Sequence, residues 1–220
     1  MKFPLIVVNF KLYESASGEA ALALAKLHDE VAREHGASLA VCVSALDVQR
    51  VASSVSLPVF VQHVDACDYG AFTGFIAPKA AKAAGAFGTL LNHAEHRLTD
   101  EQLRLTLVKC READLFTIVC AESIDRAKVI LSFEPDLIAL EPPELIGGDV
   151  SVSTARPALI QEAVAALPPS RLLVGAGVKN GIDVATCLRL GACGVLLASG
   201  VTKAQDPKAV LNDLVKGFSV

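Results

Sequence analysis

No uninterrupted apolar stretch in these 220 residues approaches the roughly 18 that a membrane span requires. Yet 52% of the residues are hydrophobic and the mean hydropathy is +0.47. The apolar excess therefore calls for a core of many short buried strands. The amino end has one lysine, an early proline and no small-residue cleavage site, which argues against a secretory signal. There is no dense Lys/Arg run, and the net charge is −4. Nucleic acid and anionic membrane surfaces are thereby disfavoured as main partners, and any anionic ligand must be held locally. The six cysteines (Cys42, Cys67, Cys110, Cys120, Cys187 and Cys193) form no C-x-x-C and sit mostly among apolar neighbours. Reduced, buried thiols in a cytoplasmic protein fit that pattern better than zinc ligands or disulfides. With no linker, low-complexity segment or composition break, residues 1–220 read as one domain.

What is present is a rhythm. Short apolar runs recur at 5–10, 39–44, 59–64, 88–93, 115–121, 137–142, 171–177 and 194–200. Stretches with apolar residues at i, i+3 and i+4 lie between them and read as helices. Thr99 with Gln102 forms a capping-box pattern. Pro78, Pro157 and Pro207 stand where first helical residues belong, and Gly36, Gly85 and Gly191 where left-handed caps belong. Strands alternating with helices imply parallel pairing through crossovers, and continuously apolar strands imply burial on both faces. Eight such units fit an α/β fold, a closed (β/α)8 barrel of eight parallel strands with outer helices. An open doubly wound sheet ranks second, because no G-x-G-x-x-G follows the first run.

In such a barrel, chemistry sits at the C-terminal ends of the strands. Polar residues gather there: Asn9 and Lys11; Gln62, His63 and Asp65; Asn92, His93 and Glu95; and Glu141. The last two runs end in glycine-containing turns, "GAGVKNG" and "ASG". Strand alternation sends Asn9 and Lys11 to the same side. Glu141 lies beside Pro142 and Pro143 at a partly desolvated position, and desolvation strengthens a carboxylate as a base. A histidine can move protons or donate a hydrogen bond. The two glycine turns, with a helix start near Ser199, offer backbone N–H groups to a phosphate. A base, a polarising histidine, a cation and a phosphate cradle suggest a proton shuttle beside the carbonyl of a small phosphorylated sugar. Taken singly, each residue also has a plainer reading: a satisfied polar histidine, a solvated carboxylate, a snorkelling lysine. Their joint placement on one rim favours the chemical reading.

The ordered segments "VVNFKLY", "GAFTGF", "LNHAEHRL", "LIALEPPELIGG", "LLVGAGVKNGIDV" and "GVLLASGVTKA" resemble the triosephosphate isomerase family, in its short archaeal form. The resemblance runs from Leu5 to about Lys216. It implies interconversion of dihydroxyacetone phosphate and D-glyceraldehyde 3-phosphate without cofactor or metal. It further implies that Glu141 is the base and His93 the electrophile. His93 would act as a neutral imidazole, kept so by a helix start near Ala94 and Glu95. Lys11 would steady the enediolate and the phosphate, and Asn9 would orient Lys11 and the substrate. The phosphate would meet backbone at Ile146, Gly147, Gly181, Ala198 and Ser199. The segment "PPELIGGDVSVSTARP" resembles a mobile lid that expels water on closing. Residues 62–74 resemble a projecting loop that carries Thr73 to a second copy, implying a homodimer or homotetramer. Four departures stand out: Ala94 where Ser is frequent, His96 where Arg is common, "VGAGV" in place of a Gly-Gly-Ser, and Asp149 where Gly is frequent. Two rivals are another phosphate-binding barrel enzyme, such as a phosphoribosyl isomerase, and a non-catalytic sugar-phosphate binder. Neither needs the Asn9, Lys11, His93 and Glu141 set.

Overall fold

Each apolar run becomes a strand because its side chains can be buried on both faces, one set inside the barrel and the other beneath the helices. The computed structural model describes residues 1–142 and 156–219. Its strands are β1 (Leu5–Asn9), β2 (Ser38–Val43), β3 (Val59–Val61), β4 (Gly88–Leu91), β5 (Phe116–Ala121), β6 (Leu137–Leu140), β7 (Leu172–Val174) and β8 (Gly194–Leu197). All pair in parallel and in chain order, and β1 pairs with β8 to close the barrel. Closure depends on Gly194, which faces Leu5 in the ladder. A Cβ there would stand 2.1 Å from the Leu5 carbonyl oxygen.

The described helices are α1 (Glu19–His35), α2 (Val48–Ala52), α3 (Pro78–Ala83), α4 (Asp100–Glu112), α5 (Ile124–Leu131), α6 (Pro157–Ala166), α7 (Gly181–Arg189), α8 (Ser199–Thr202) and α9 (Pro207–Lys216). The expected punctuation holds. Thr99 and Gln102 form both bonds of a capping box, and α3, α6 and α9 each begin at their proline. Gly36, Gly85 and Gly191 all have positive φ.

Alternation splits the core into two layers. Leu5, Val7, Ala40, Cys42, Phe60, Leu90, Ile118, Cys120, Leu137, Ala139, Leu173 and Leu196 fill the barrel. Their neighbours Ile6, Val8, Val41, Val61, Leu91, Val119, Ile138, Leu140, Val174 and Val195 pack under the helices. By this parity Asn9, Gln62 and Glu141 continue the inward rows past the last apolar residues, at the mouth. All six cysteines are free and five are buried. No helix among the described residues is long and apolar enough to cross a membrane.

Candidate active site

The mouth is a cleft of about 530 Å³ lined by Asn9, Lys11, Tyr13, His93 and Glu141, by the turn Ala176–Lys179, and by Leu196–Gly200. A second cleft of about 1160 Å³ shares Asn9, Lys11 and His93 and extends past Gln62, His63, Glu95 and His96. Asn9, Lys11, His93 and Glu141, from three separate strand ends, thus converge on one hollow.

Asn9 ends β1 and is buried. Its Oδ1 accepts the Lys11 backbone N–H at 3.0 Å and a Gln62 Nε2 hydrogen at 3.2 Å. Lys11 reaches the cleft by a different route from the one alternation suggests. It lies beyond the strand, in a turn, with φ at +51°. The Asn9 side chain and the Gln62 amide, which also donates to the Lys11 carbonyl at 2.9 Å, hold that turn. Lys11 Nζ then meets Glu95 Oε1 at 2.7 Å. Sequence reasoning placed Gln62 at the rim without a task. Inward parity and a long amide were the only signals available for one.

His93 is buried, and its Nδ1 accepts the Glu95 backbone N–H at 3.1 Å. An accepting Nδ1 carries a lone pair, which leaves Nε2 as the ring's donor toward the cleft. The helix start expected at Ala94–Glu95 is not there. Those residues form a turn, and α4 begins only at Asp100. What faces Nδ1 is one backbone amide rather than a helix N-terminus.

His93 Nε2 lies 3.8 Å from Glu141 Oε2, too far for a hydrogen bond. Glu141 is buried, and its Oε2 finds no donor among the described residues. Ala94 has no hydroxyl to offer it. The Glu141 side chain lies over Gly175, where a Cβ would come within 2.4 Å of Glu141 Cγ. Below it, burial first and then the Glu141 carboxylate push the Cys120 thiol well above its ordinary range, so it stays protonated.

At the expected phosphate end, Ala198 and Ser199 line the cleft, and Ser199 opens α8. Gly181 does not line it. Its N–H donates to Asp213 Oδ2 at 2.9 Å, and the absent Cβ allows close packing against α9. The neighbouring turn Ala176–Lys179 lines the cleft in its place, with Ala176 left-handed at φ +71°. Ile146, Gly147, Asp149 and most of the lid segment lie outside the described residues. His96 stacks on His63 with ring centroids 4.1 Å apart, and His63 approaches Asp65 at 3.2 Å. Burial holds the His63 imidazole below its ordinary value, against the opposing pull of Asp65.

The projecting loop is closed at its neck. Asp65 N–H donates to the Ile76 carbonyl at 2.9 Å, and Ile76 N–H returns to Asp65 Oδ2 at 2.7 Å. Beyond that neck Tyr69, Phe72, Thr73 and Phe75 are exposed.

A buried acceptor facing an imidazole, with a lysine and two backbone turns around them, equips a (β/α)8 barrel for acid–base work on a small anion. The model of the triosephosphate isomerase family matches residues 4–217. Triosephosphate isomerase of Methanosarcina barkeri is 44% identical over 220 residues, covering 98% of this chain and 99% of that protein. That of Methanothermus fervidus is 40% identical over 219 residues, with the same coverage of both chains. The crystal structure of triosephosphate isomerase from Bartonella henselae superposes with a TM-score of 0.77 at 19% identity, covering all of both chains, a likeness of fold. The chain belongs to the triosephosphate isomerase family.

Proposed function

We propose that the cleft carries out the family's reaction with Glu141 as base and His93 as electrophile. The chain is an aldose–ketose isomerase that interconverts dihydroxyacetone phosphate and D-glyceraldehyde 3-phosphate, a step of glycolysis and gluconeogenesis. Glu141 takes a proton from C1 of the ketose, and the electron pair passes into the C2 carbonyl to give an enediolate. His93 Nε2–H and the Lys11 ammonium stabilise the charge developing on oxygen. The imidazole relays a proton between O1 and O2. Glu141 then returns its proton to C2, leaving an aldehyde at C1. Lys11 and Asn9, with backbone at Ala176–Lys179, Ala198 and Ser199, hold the phosphate end. Ile146 and Gly147 join that set on sequence resemblance.

The observation that carries this reading is the Glu141 Oε2 atom. It is buried, without a donor among the described residues, and 3.8 Å across the cleft from His93 Nε2. A carboxylate committed to structure would have a donor there. A coupled isomerase assay on Glu141→Gln tests it. Turnover falls about a hundred- to ten-thousandfold, as expected for loss of a general base, while circular dichroism stays that of the native barrel. Near-native turnover in Glu141→Gln removes the assignment.

The exposed loop apex with Tyr69, Phe72 and Phe75 supports a homodimer or homotetramer in which Thr73 approaches the neighbouring cleft. Light scattering is expected to give at least twice the 23.0 kDa chain mass. A monomer overturns this part alone. The buried free thiols suit a reducing cytoplasm, where we place the enzyme.

A further inference from the structure

Along β4 the side chains alternate, Leu90 facing the barrel interior and Leu91 packing in the outer layer. Two residues past Leu91, His93 shares its parity, and a continued strand would carry the imidazole out under the helices. It lines the cleft instead. The reversal happens at the residue between them. Asn92 has φ at +57°, in the left-handed region. Among residues with a side chain, asparagine is one of the few that adopt this conformation readily.

The Asn92 side chain has a second task. It is 2% exposed, and both of its polar atoms are engaged. Nδ2 donates to the Cys120 carbonyl at 2.9 Å, and Oδ1 accepts the Leu98 backbone N–H at 3.0 Å. Cys120 is one residue beyond Val119, the last residue of β5 paired to β4. The fork thus anchors the start of the loop to the neighbouring strand and draws in its end at Leu98. Between those points lie His93 and the Glu95 N–H that sets its tautomer.

We propose that Asn92 is the positioning residue of His93. Its left-handed backbone turns the imidazole from the outer layer into the mouth, and its amide fixes the loop that keeps Nδ1 an acceptor and aims Nε2–H at the substrate. The proposal rests on the reading of His93 as the electrophile.

The test combines kinetics with the ¹⁵N NMR signature of the His93 ring, identified by its disappearance in His93→Gln. Three variants separate the two tasks. Asn92→Ala disfavours the left-handed backbone and removes both bonds. Asn92→Gly permits the backbone and removes both bonds. Asn92→Asp keeps the acceptor for Leu98 and loses the donor to Cys120. In Asn92→Ala, kcat is expected to fall about a hundredfold, the effect of roughly ångström-scale misplacement, with KM within about threefold. Asn92→Gly and Asn92→Asp fall between it and the wild type. In each variant the wild-type pattern, unprotonated Nδ1 and protonated Nε2, gives way to mixed tautomers in proportion to the loss of kcat. If Asn92→Ala does not fold, the Gly and Asp variants decide the matter. The proposal is overturned by kcat within about twofold of wild type in Asn92→Gly and Asn92→Asp. It is equally overturned by a loss of kcat with the His93 signature unchanged. A wild-type chain without isomerase activity would defeat the functional reading, while the ring signature would still report on Asn92.

Discussion

At the N-terminal end of the strands, Phe60, Phe87 and Phe116 meet with ring centroids 5.6 to 6.1 Å apart. Leu5 and Leu137 fill the interior beside them. At the other end of the same strands the inward rows finish in Asn9, Gln62 and Glu141, and three residues other than glycine, Lys11, Asn92 and Ala176, sit at positive φ. At the first end the inward side chains are apolar, and its left-handed residues, Gly36, Gly85, Asp114, Glu134 and Gly191, lie in the turns that lead into the strands. The other holds buried polar side chains at the ends of the inward rows, including an acceptor with no donor among the described residues. Both ends share one hydrogen-bonded ladder. The floor can therefore supply stability that the mouth gives up in order to present reactive atoms.

Mutation can separate the two ends. Phe60→Ala empties the floor, where Phe60 is fully buried. It should cost about 3–5 kcal/mol in chemical unfolding, while kcat per folded molecule stays within about twofold because the mouth is untouched. Equal losses at both ends would dissolve the contrast.

Acid sharpens it from the helix layer behind the mouth. His28 in α1 packs on Phe10, its Nδ1 bonds the Leu24 carbonyl, and its Nε2 has no partner among the described residues. Burial lowers its pKa from 6.5 to about 4. The folded ring stays neutral where the unfolded ring takes a proton. Its contribution to stability is therefore complete above pH 6.5 and falls as pH drops to about 4, by about 3 kcal/mol. In His28→Leu, urea unfolding across that range should flatten accordingly. An unchanged slope would remove His28 as the cause.

Gly175→Ala is the converse of the floor mutation. Its Cβ would push into Glu141 Cγ, so kcat should fall about a hundredfold. The unfolding midpoint should move less than in Phe60→Ala. A normal kcat would mean that Glu141 need not lie where it does.

Much of this was legible beforehand. Eight apolar runs, three prolines, three glycines and one Thr–Gln box carry the barrel, because burial and capping act through local pattern. Inward parity also picks out Asn9, Gln62 and Glu141. The remainder depends on bonds between distant segments. Alternation would send His93 the wrong way, since nothing local declares that Asn92 is left-handed. The glycine of "GAGVKNG" expected to meet phosphate, Gly181, is committed to Asp213 on a helix 32 residues away. The partner of His93 Nδ1 is one amide of a turn that reads, in sequence, like a helix start.

The neck of the 65–76 loop bears on association. Because Asp65 and Ile76 bind each other in both directions, the two ends of the apex segment with Tyr69, Phe72 and Phe75 are pinned together. A second copy docking there would not have to bring those ends together. In the proposed homo-oligomer more of the apolar contact would then remain as affinity, and a small area would suffice to join two copies.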